Sequence, residues 1–392
     1  MSDLLRQFRD FFVSLKLTVV LLALGIILIF WATLAQTDLG VWGVQQKFFH
    51  SFFVLERIPG TEIPAPVFPG GYFIGGLLMI NLVAAHVYRF KYSARKTGIW
   101  LTHFGLMLLL VGELLSGLWQ QDYQMNFKEG ETRNYAESFR DNELAIIDVT
   151  DPKTDDVVAI PEELIAKGDP IQHPKLPFRV VPKLYYPNAN LQLRSNVPNA
   201  PPSLATVGTF AQQIVATPAP VTYKEDERNL PAADIELVGP EGSLGTFFVS
   251  TELPMPQHFD YAGRSWKIIL RVKRAYTPYA VTLQKVTNDI FPGSDIPKNF
   301  ASRVRLQSED GRDNREVVIY MNNPLRYRGL TYFQYQMDKA SGQSVLQVVS
   351  NPSWQMPYLA CAMMALGLVI QFGIHLAGFA RRRHAVVQPD HA

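Results

Sequence analysis

Cysteine is nearly missing from this chain: among 392 residues only Cys361 is present. No intramolecular disulfide can form, there is no Cys-x-x-Cys dithiol, and there is no Cys-x-x-Cys-His attachment motif. The chain cannot by itself carry out dithiol exchange, and any domain facing an oxidising compartment must fold on its apolar core alone. A charge excess is missing too. The formal net charge is +2, which makes no case for nucleic acid. Gly-x-Ser-x-Gly, a P-loop and a dinucleotide fingerprint are all lacking, so nothing marks an autonomous hydrolase, ATPase or dehydrogenase.

The most telling absence is local. Charge almost disappears from Leu17 to Ala35, Tyr72 to Tyr88, Gly98 to Leu118 and Pro357 to Phe379. A helix crossing roughly 30 Å of hydrocarbon needs about 20 mostly apolar residues. The first, third and fourth runs meet that, and the second does so by borrowing Phe68 to Gly71. The expected architecture is therefore a membrane protein with four transmembrane α-helices and a large all-β, sandwich-like extracytoplasmic domain. The segments are 1–36 (tail and first helix), 37–71 (outer loop), 72–118 (a helical hairpin), 119–356 (the β-rich domain) and 357–392 (last helix and tail).

Basic residues set the expected orientation. Arg6, Arg9 and Lys16 precede the first helix, Arg89, Lys91, Arg95 and Lys96 fill the hairpin link, and Arg381, Arg382 and Arg383 follow the last helix. The positive-inside rule puts all three groups in the cytoplasm. The loop 37–71 and the large domain then face the periplasm across a bacterial inner membrane. Thr33-Leu34-Ala35 loosely resembles a cleavage site, but the apolar run is long and Phe30-Trp31 are bulky, so an uncleaved anchor is expected.

Within the large domain, ten segments alternate or run apolar between turn residues, as strands do. They are Ala145 to Val149, Phe178 to Leu184, Asp234 to Val238, Thr246 to Ser250, Trp266 to Arg274, Tyr279 to Val286, Ser302 to Gln307, Glu316 to Tyr320, Leu330 to Met337 and Val345 to Ser350. An antiparallel sandwich or an open barrel-like assembly is the natural solution. Arg194 to Val221 is rich in Pro, Ala, Asn and Ser and reads as an exposed excursion. Gln45 to Leu55 has helical spacing, which predicts either a short amphipathic helix on the outer surface or packing against the large domain.

Chemistry rests on histidine. His86 lies three residues before Arg89, and His103 seven after Lys96, so the hairpin carries two imidazoles at similar depth. His375, six residues before Arg381, shares that leaflet. Ionisable side chains in hydrocarbon are costly and often functional. Paired imidazoles suit a b-type haem, whose iron takes axial nitrogen ligands, and a transition metal less specifically. Hydrogen bonds to nearby carbonyls are the plain alternative. Glu113 lies about 15 Å further along the third helix than His103. His50, His173 and His258 read as surface or turn residues without metal-ligand spacing. Gly75, Gly76, Gly105, Gly112 and Gly117 mark close helix contacts, or room for a flat macrocycle.

Several motifs then occur in order. Ala32-Thr33-Leu34-Ala35-Gln36 closes the first helix. Pro69-Gly70-Gly71 leads to Asn81-Leu82-Val83-Ala84-Ala85-His86 and Arg89-Phe90. Gly98-Ile99-Trp100-Leu101-Thr102-His103-Phe104-Gly105-Leu106 follows, and Glu129-Gly130-Glu131 opens the large domain. Near the end stand Pro297-Lys298-Asn299-Phe300-Ala301-Ser302, the run from Met321-Asn322-Asn323-Pro324-Leu325 through Tyr327, Gly329 and Tyr332-Phe333-Gln334, and Asn351-Pro352. This ordered set resembles the ResB/CcsB family of system II cytochrome c biogenesis proteins. Two details depart from the family pattern: Ala32 replaces a Gly, and the Gly of Asp-Pro-Gly is absent after Pro352.

The resemblance implies a subunit that works with a CcsA/ResC-type membrane protein to carry haem b outward and join it to apocytochrome c. The thioethers would form on a Cys-x-x-Cys-His of the client. The chain has six Trp and no tryptophan-rich Trp-Gly-x-Trp-x-Trp-Asp run, so it does not resemble the fused form that includes the partner. A membrane histidine of this subunit is implicated in holding haem, and His103 and His86 are the positions that match as candidate axial ligands of the iron. No catalytic residue is assigned, and the chain is expected to be a non-catalytic or co-catalytic subunit of a haem lyase complex. Two alternatives stay open: a b-type haem electron carrier ligated within one chain, and a structural assembly subunit without haem. The aromatic strand block around Tyr327, Tyr332, Phe333 and Tyr335 reads either as a hairpin core or as a surface for the client or partner.

Overall fold

The computed structural model describes all residues except 1–2, 59, 62, 92, 199, 225–226, 291–292, 294–296, 339–340 and 388–392. The chain begins with helices α1 (Asp3–Phe12) and α2 (Leu15–Val44), a hairpin of β1 (Phe53–Arg57) and β2 (Pro64–Pro69), and helices α3 (Gly71–Tyr88) and α4 (Thr97–Trp119). A long β-rich stretch follows: β3 (Gln121–Lys128), β4 (Thr132–Asp148), β5 (Asp156–Pro161), α5 (Glu162–Ala166), β6 (Arg179–Tyr186), β7 (Ala189–Leu193), β8 (Ile214–Pro218), β9 (Ala232–Gly239) and β10 (Gly242–Ser250). It continues with β11 (Gln257–Tyr261), β12 (Arg264–Ile290), β13 (Pro297–Ser308), β14 (Asn314–Tyr320), β15 (Leu325–Tyr327), β16 (Leu330–Asp338) and β17 (Gln343–Ser350), and α6 (Met356–Val387) closes the chain. Two compact units result, Met1–Gln121 with Asn351–Ala392, and Asp122–Ser350.

In the first unit, four helices are long and apolar enough to cross a membrane: α2, α3, α4 and α6. The helix α2 outruns its apolar stretch and kinks at Gly40, where φ is 69°. The break between α1 and α2 is held from α3. Asn81, buried, donates from Nδ2 to the carbonyls of Phe12 (2.7 Å) and Ser14 (3.1 Å), and accepts from Thr18 Oγ1 at 2.6 Å. Arg89 donates to the Val13 carbonyl at 3.1 Å. Carbonyls freed at a helix break are thus satisfied inside the bundle, as hydrocarbon demands.

Gln45 to Leu55 is not one amphipathic helix. A π-helical turn covers Gln45–Phe49, and β1 then begins at Phe53. Phe48 is fully buried and meets Trp31 edge-on at 5.3 Å, so this segment folds back onto α2. The glycines of α4 seat α6. A Cβ at Gly98 would lie 2.5 Å from the Gly367 carbonyl oxygen, and one at Gly105 2.8 Å from that of Ala360. Small residues let the two backbones approach this closely. The lead-in to α6 lacks the expected Gly and instead uses an Asx turn. Asn351 Oδ1 accepts from Ser353 N at 2.8 Å, while Asn351 Nδ2 donates to Ser116 Oγ and Gln120 Oε1, both at 3.0 Å.

The second unit has two cores spanned by two long strands. The main sheet runs β14-β13-β12-β4-β3-β17-β16-β15, with β11 on β12 and β5 on β4. The end of β4 and the start of β12 face the sheet β10-β9-β6, burying Leu144, Ile146, Ile235, Leu237, Trp266 and Ile268 as in a sandwich. The start of β4 and the end of β12 join the remaining strands in a nearly closed barrel around Met125, Phe127, Val281, Val304, Tyr332 and Leu346. Register shifts at Val272/Arg274 and Tyr276/Val281 mark where the β4–β12 ladder bends from one core to the other.

All ten expected strands lie on observed ones, extended by a residue at most. The exposed excursion is corrected. Part of Arg194 to Val221 forms β8 on β7, and Ala205, Ala211 and Val215 are buried, the first two in a small cluster with Phe248 and Leu253. Small alanines fill tight space without giving the large-residue periodicity that announces a core.

Candidate functional site

The hairpin of α3 and α4 brings His86 and His103 together. Their ring centroids are 4.8 Å apart, edge to face. His86 is 9% exposed. Its Nδ1 lies 2.8 Å from the Leu82 carbonyl oxygen, one turn back on α3. A carbonyl only accepts, so Nδ1 carries the proton and Nε2 of the neutral ring carries the lone pair. That Nε2 is buried without a hydrogen-bond partner, and so is Nδ1 of His103.

An aromatic cage surrounds the pair. Phe90 stacks on His86 at 5.3 Å, Trp100 meets it edge-on at 5.4 Å, and Trp100 stacks on Phe104 at 5.0 Å. Trp100 and Phe104 are four residues apart on α4 and share one face of it, whereas Phe90 lies just past the end of α3, where its N–H donates to the Ala85 carbonyl at 3.1 Å and the chain turns back over His86. Lys96 Nζ stands 5.2 Å over the Phe90 ring, adding positive charge at the basic-link end. The two histidines and the family-like motifs were legible in sequence. The cage was not singled out, although the i, i+4 spacing of Trp100 and Phe104 was available.

The pair offers the donor chemistry of an axial ligand: a buried imidazole nitrogen with a free lone pair and a fixed tautomer. Two imidazoles on opposite faces of one iron, each nitrogen about 2 Å from it, would hold their centroids roughly 6 Å apart. The observed 4.8 Å is short of that. As placed, the two rings could not both take one iron without moving apart, whereas each has a buried nitrogen without a hydrogen-bond partner.

The other candidates lie elsewhere. His375 is exposed on α6, with Gln371 Nε2 donating to its Nε2 at 3.0 Å. His173 accepts from Lys175 N at 3.3 Å in a turn, and His258 is on β11. His50 stacks on Tyr72 at 5.6 Å. Both line a cavity of about 700 Å³ between α2, the π-helical turn, α3 and α4 that also includes Glu113. Gly75 and Gly76 face open space there, whereas Gly98, Gly105 and Gly112 pack against α6. Among the described residues no group of three His, Cys, Asp or Glu is placed to hold a metal ion.

In the β-rich unit the buried titratable groups are structural. Burial pushes the Asp234 carboxyl up to about 6, against the attraction of Arg194. Burial also raises Glu162, although Asn142 Nδ2 and the Tyr185 hydroxyl donate to it at 2.9 and 3.2 Å. In the aromatic block, Tyr332 is fully buried and its hydroxyl lies 2.7 Å from that of Tyr279. Phe333 and Tyr335 are exposed on β16. The turn between β15 and β16 is Arg328-Gly329, both with positive φ (45° and 82°). That conformation matches a tight hairpin and explains the Gly of the motif.

A model of the ResB-like family matches residues 262–344, from the start of β12 into β17. Over 110 residues the chain is 30% identical to Protein NrfI of Wolinella succinogenes, covering 26% of this chain and 12% of that protein. Over 116 residues it is 28% identical to Cytochrome c biogenesis protein CcsB of Synechococcus elongatus, covering 30% of this chain and 25% of that protein. The CcsB of a second Synechococcus strain matches to the same extent. The matched segments thus span a quarter or less of these relatives. The family match falls on the barrel-like core and its tight hairpin, and four apolar helices occur in the same chain; over that segment the protein is similar to the ResB-like family.

Proposed function

We propose that this chain is a membrane subunit of the system II cytochrome c maturation machinery, holding haem in transit through His86 and working with a CcsA/ResC-type partner. The observation that carries this reading is the His86 ring: buried, locked by Leu82, and presenting an unpartnered Nε2. His103 flanks the same position. Haem is cargo in this scheme, and its iron accepts a ring nitrogen. Leu82 fixes which nitrogen is available, Phe90, Trp100 and Phe104 give the macrocycle an apolar surround, and the neighbouring subunit supplies the second ligand.

Orientation follows from charge. With the four helices crossing, the Arg89–Lys96 link and Arg381–Arg383 share one side, the cytoplasm, and the β-rich unit lies in the periplasm. Cargo therefore enters near the basic link. The exposed Phe333 and Tyr335, with Tyr320 and Met321 at 42% and 48% exposure, offer an aromatic surface for apocytochrome c.

The test is a pair of variants expressed with the partner. His86→Ala is expected to lower the haem retained by the purified complex at least tenfold, the scale of losing a metal ligand or its support. Holocytochrome c in the cells should fall with it, and imidazole should partly restore the spectrum. Normal cytochrome maturation by both His86→Ala and His103→Ala would refute the ligand assignment. A stable six-coordinate haem in this chain purified without any partner would instead establish the electron-carrier reading.

A further inference from the structure

The cavity bounded by α2, the π-helical turn, α3 and α4 belongs to none of the chemistry above. Its polar end is set apart from His86 along α3: Tyr72 lies fourteen residues earlier in the same helix, about 21 Å away, and the lining residue nearest to His86 on that helix, Ile80, lies six residues earlier, about 9 Å. Its volume of about 700 Å³ falls in the range of roughly 300–1,000 Å³ found for small-molecule sites. Polar groups gather toward one end, from Gln36, Gln45, His50, Tyr72 and Glu113, while the rest is apolar, including Met79, Ile80 and Leu110. Gly75 and Gly76 widen it, since a Cβ at either would meet nothing within 4 Å.

The polar set specifies the ligand. Gln46 Nε2 donates to His50 Nδ1 at 3.3 Å, so neutral His50 carries its proton on Nε2 and can act only as a donor there. The Tyr72 hydroxyl and the two glutamine amides donate and accept, and Glu113 accepts. No Lys or Arg is among the described lining residues. An anionic head, whether phosphate or a pair of carboxylates, would meet Glu113 without a counter-charge in a low-dielectric wall. A neutral head bearing carbonyl and hydroxyl oxygens finds a partner for each, and an apolar tail finds the rest of the cleft. We infer that this cavity binds a membrane lipid of the quinone/quinol class, ring toward His50, Tyr72 and Glu113 and tail along Gly75, Gly76 and Met79.

The experiment is photolabelling of the full-length chain in nanodiscs with an azido-ubiquinone, competed by decylubiquinone. Label is expected on peptides carrying Tyr72 to Ile80 and Leu110 to Leu114, and decylubiquinone should reduce it at least fivefold. Gly76→Leu fills the cleft at a position with no neighbour to displace, and should lower the labelling about tenfold. Tyr72→Phe keeps shape and removes a donating hydroxyl, and should weaken the competition threefold or more; Glu113→Gln trades an acceptor oxygen for a donating amide, and should weaken competition by decylubiquinol relative to decylubiquinone, because only the quinol has hydroxyls to donate. Labelling that is not competed, or that is equal in all three variants, would overturn the inference. So would displacement of the label by haemin more effectively than by decylubiquinone, because that would give the cleft to an anionic macrocycle.

Discussion

At His86 one hydrogen bond decides the chemistry of the ring. Donation from Nδ1 to Leu82 leaves Nε2 as the only free basic nitrogen, and burial keeps water from using it. Asp234 is a second residue whose surroundings set its protonation. Its folded pKa is raised from 3.8 to about 6 by burial, so protonation is favoured more strongly in the folded state. The associated stability is fully present below pH 3.8 and is lost as pH rises through about 6. Asp234→Asn is therefore expected to be nearly neutral at pH 4 and stabilising at pH 7, by up to about 2–3 kcal/mol. Thermal unfolding of the purified chain at the two pH values checks this, and an equal effect at both would contradict it.

Among the elements, the β4–β12 ladder joins the two cores of the β-rich unit, and an ion pair sits at its bend. Arg271 and Glu143 are directly opposed in register and lie 2.9 Å apart, with side chains only 10% and 6% exposed. Removing one partner strands a buried charge. Glu143→Gln should cost about 3 kcal/mol, while the double change Glu143→Leu with Arg271→Met should recover most of that loss. Denaturant midpoints for the three proteins decide the point, and a double variant no better than the single one would show that the pair itself is needed. The close contact of α4 with α6 behaves differently, because backbone meets backbone. At Gly98 even a methyl group would lie 2.5 Å from the Gly367 oxygen, so Gly98→Leu must push α6 away. A lower unfolding temperature in detergent, with membrane insertion unchanged, is the expected outcome. An unchanged temperature would mean that the two helices are not tightly packed.

For the molecule as a whole, a chain divided by its own β-rich insertion must close its membrane unit with helices far apart in sequence. Gly112 and Ser116 of α4 reach Ser353, 241 and 237 residues away, through Ser353 Oγ. The sole cysteine lets the topology be read directly. In a Cys361→Ser background, Ser93→Cys should react with a membrane-impermeant maleimide only after the cells are opened, and Ser308→Ala with Glu309→Cys should react in intact spheroplasts. The reverse pattern would invert the proposed orientation.

The membrane spans, the basic links, most strands and the two hairpin histidines were legible because each depends on local composition or on period, and hydrocarbon tolerates few exceptions. The strand motif around Gly329 was legible for a similar reason, since a tight turn with positive φ calls for particular residues. What lay outside the sequence was three-dimensional in origin. Small buried alanines at 205 and 211, the Asn81 latch, the 4.8 Å between two imidazoles and the cleft beside Gly76 all arise where distant elements meet. Charge and periodicity act along the chain and can be read from it; spacing between rings and empty volume exist only once the helices have packed.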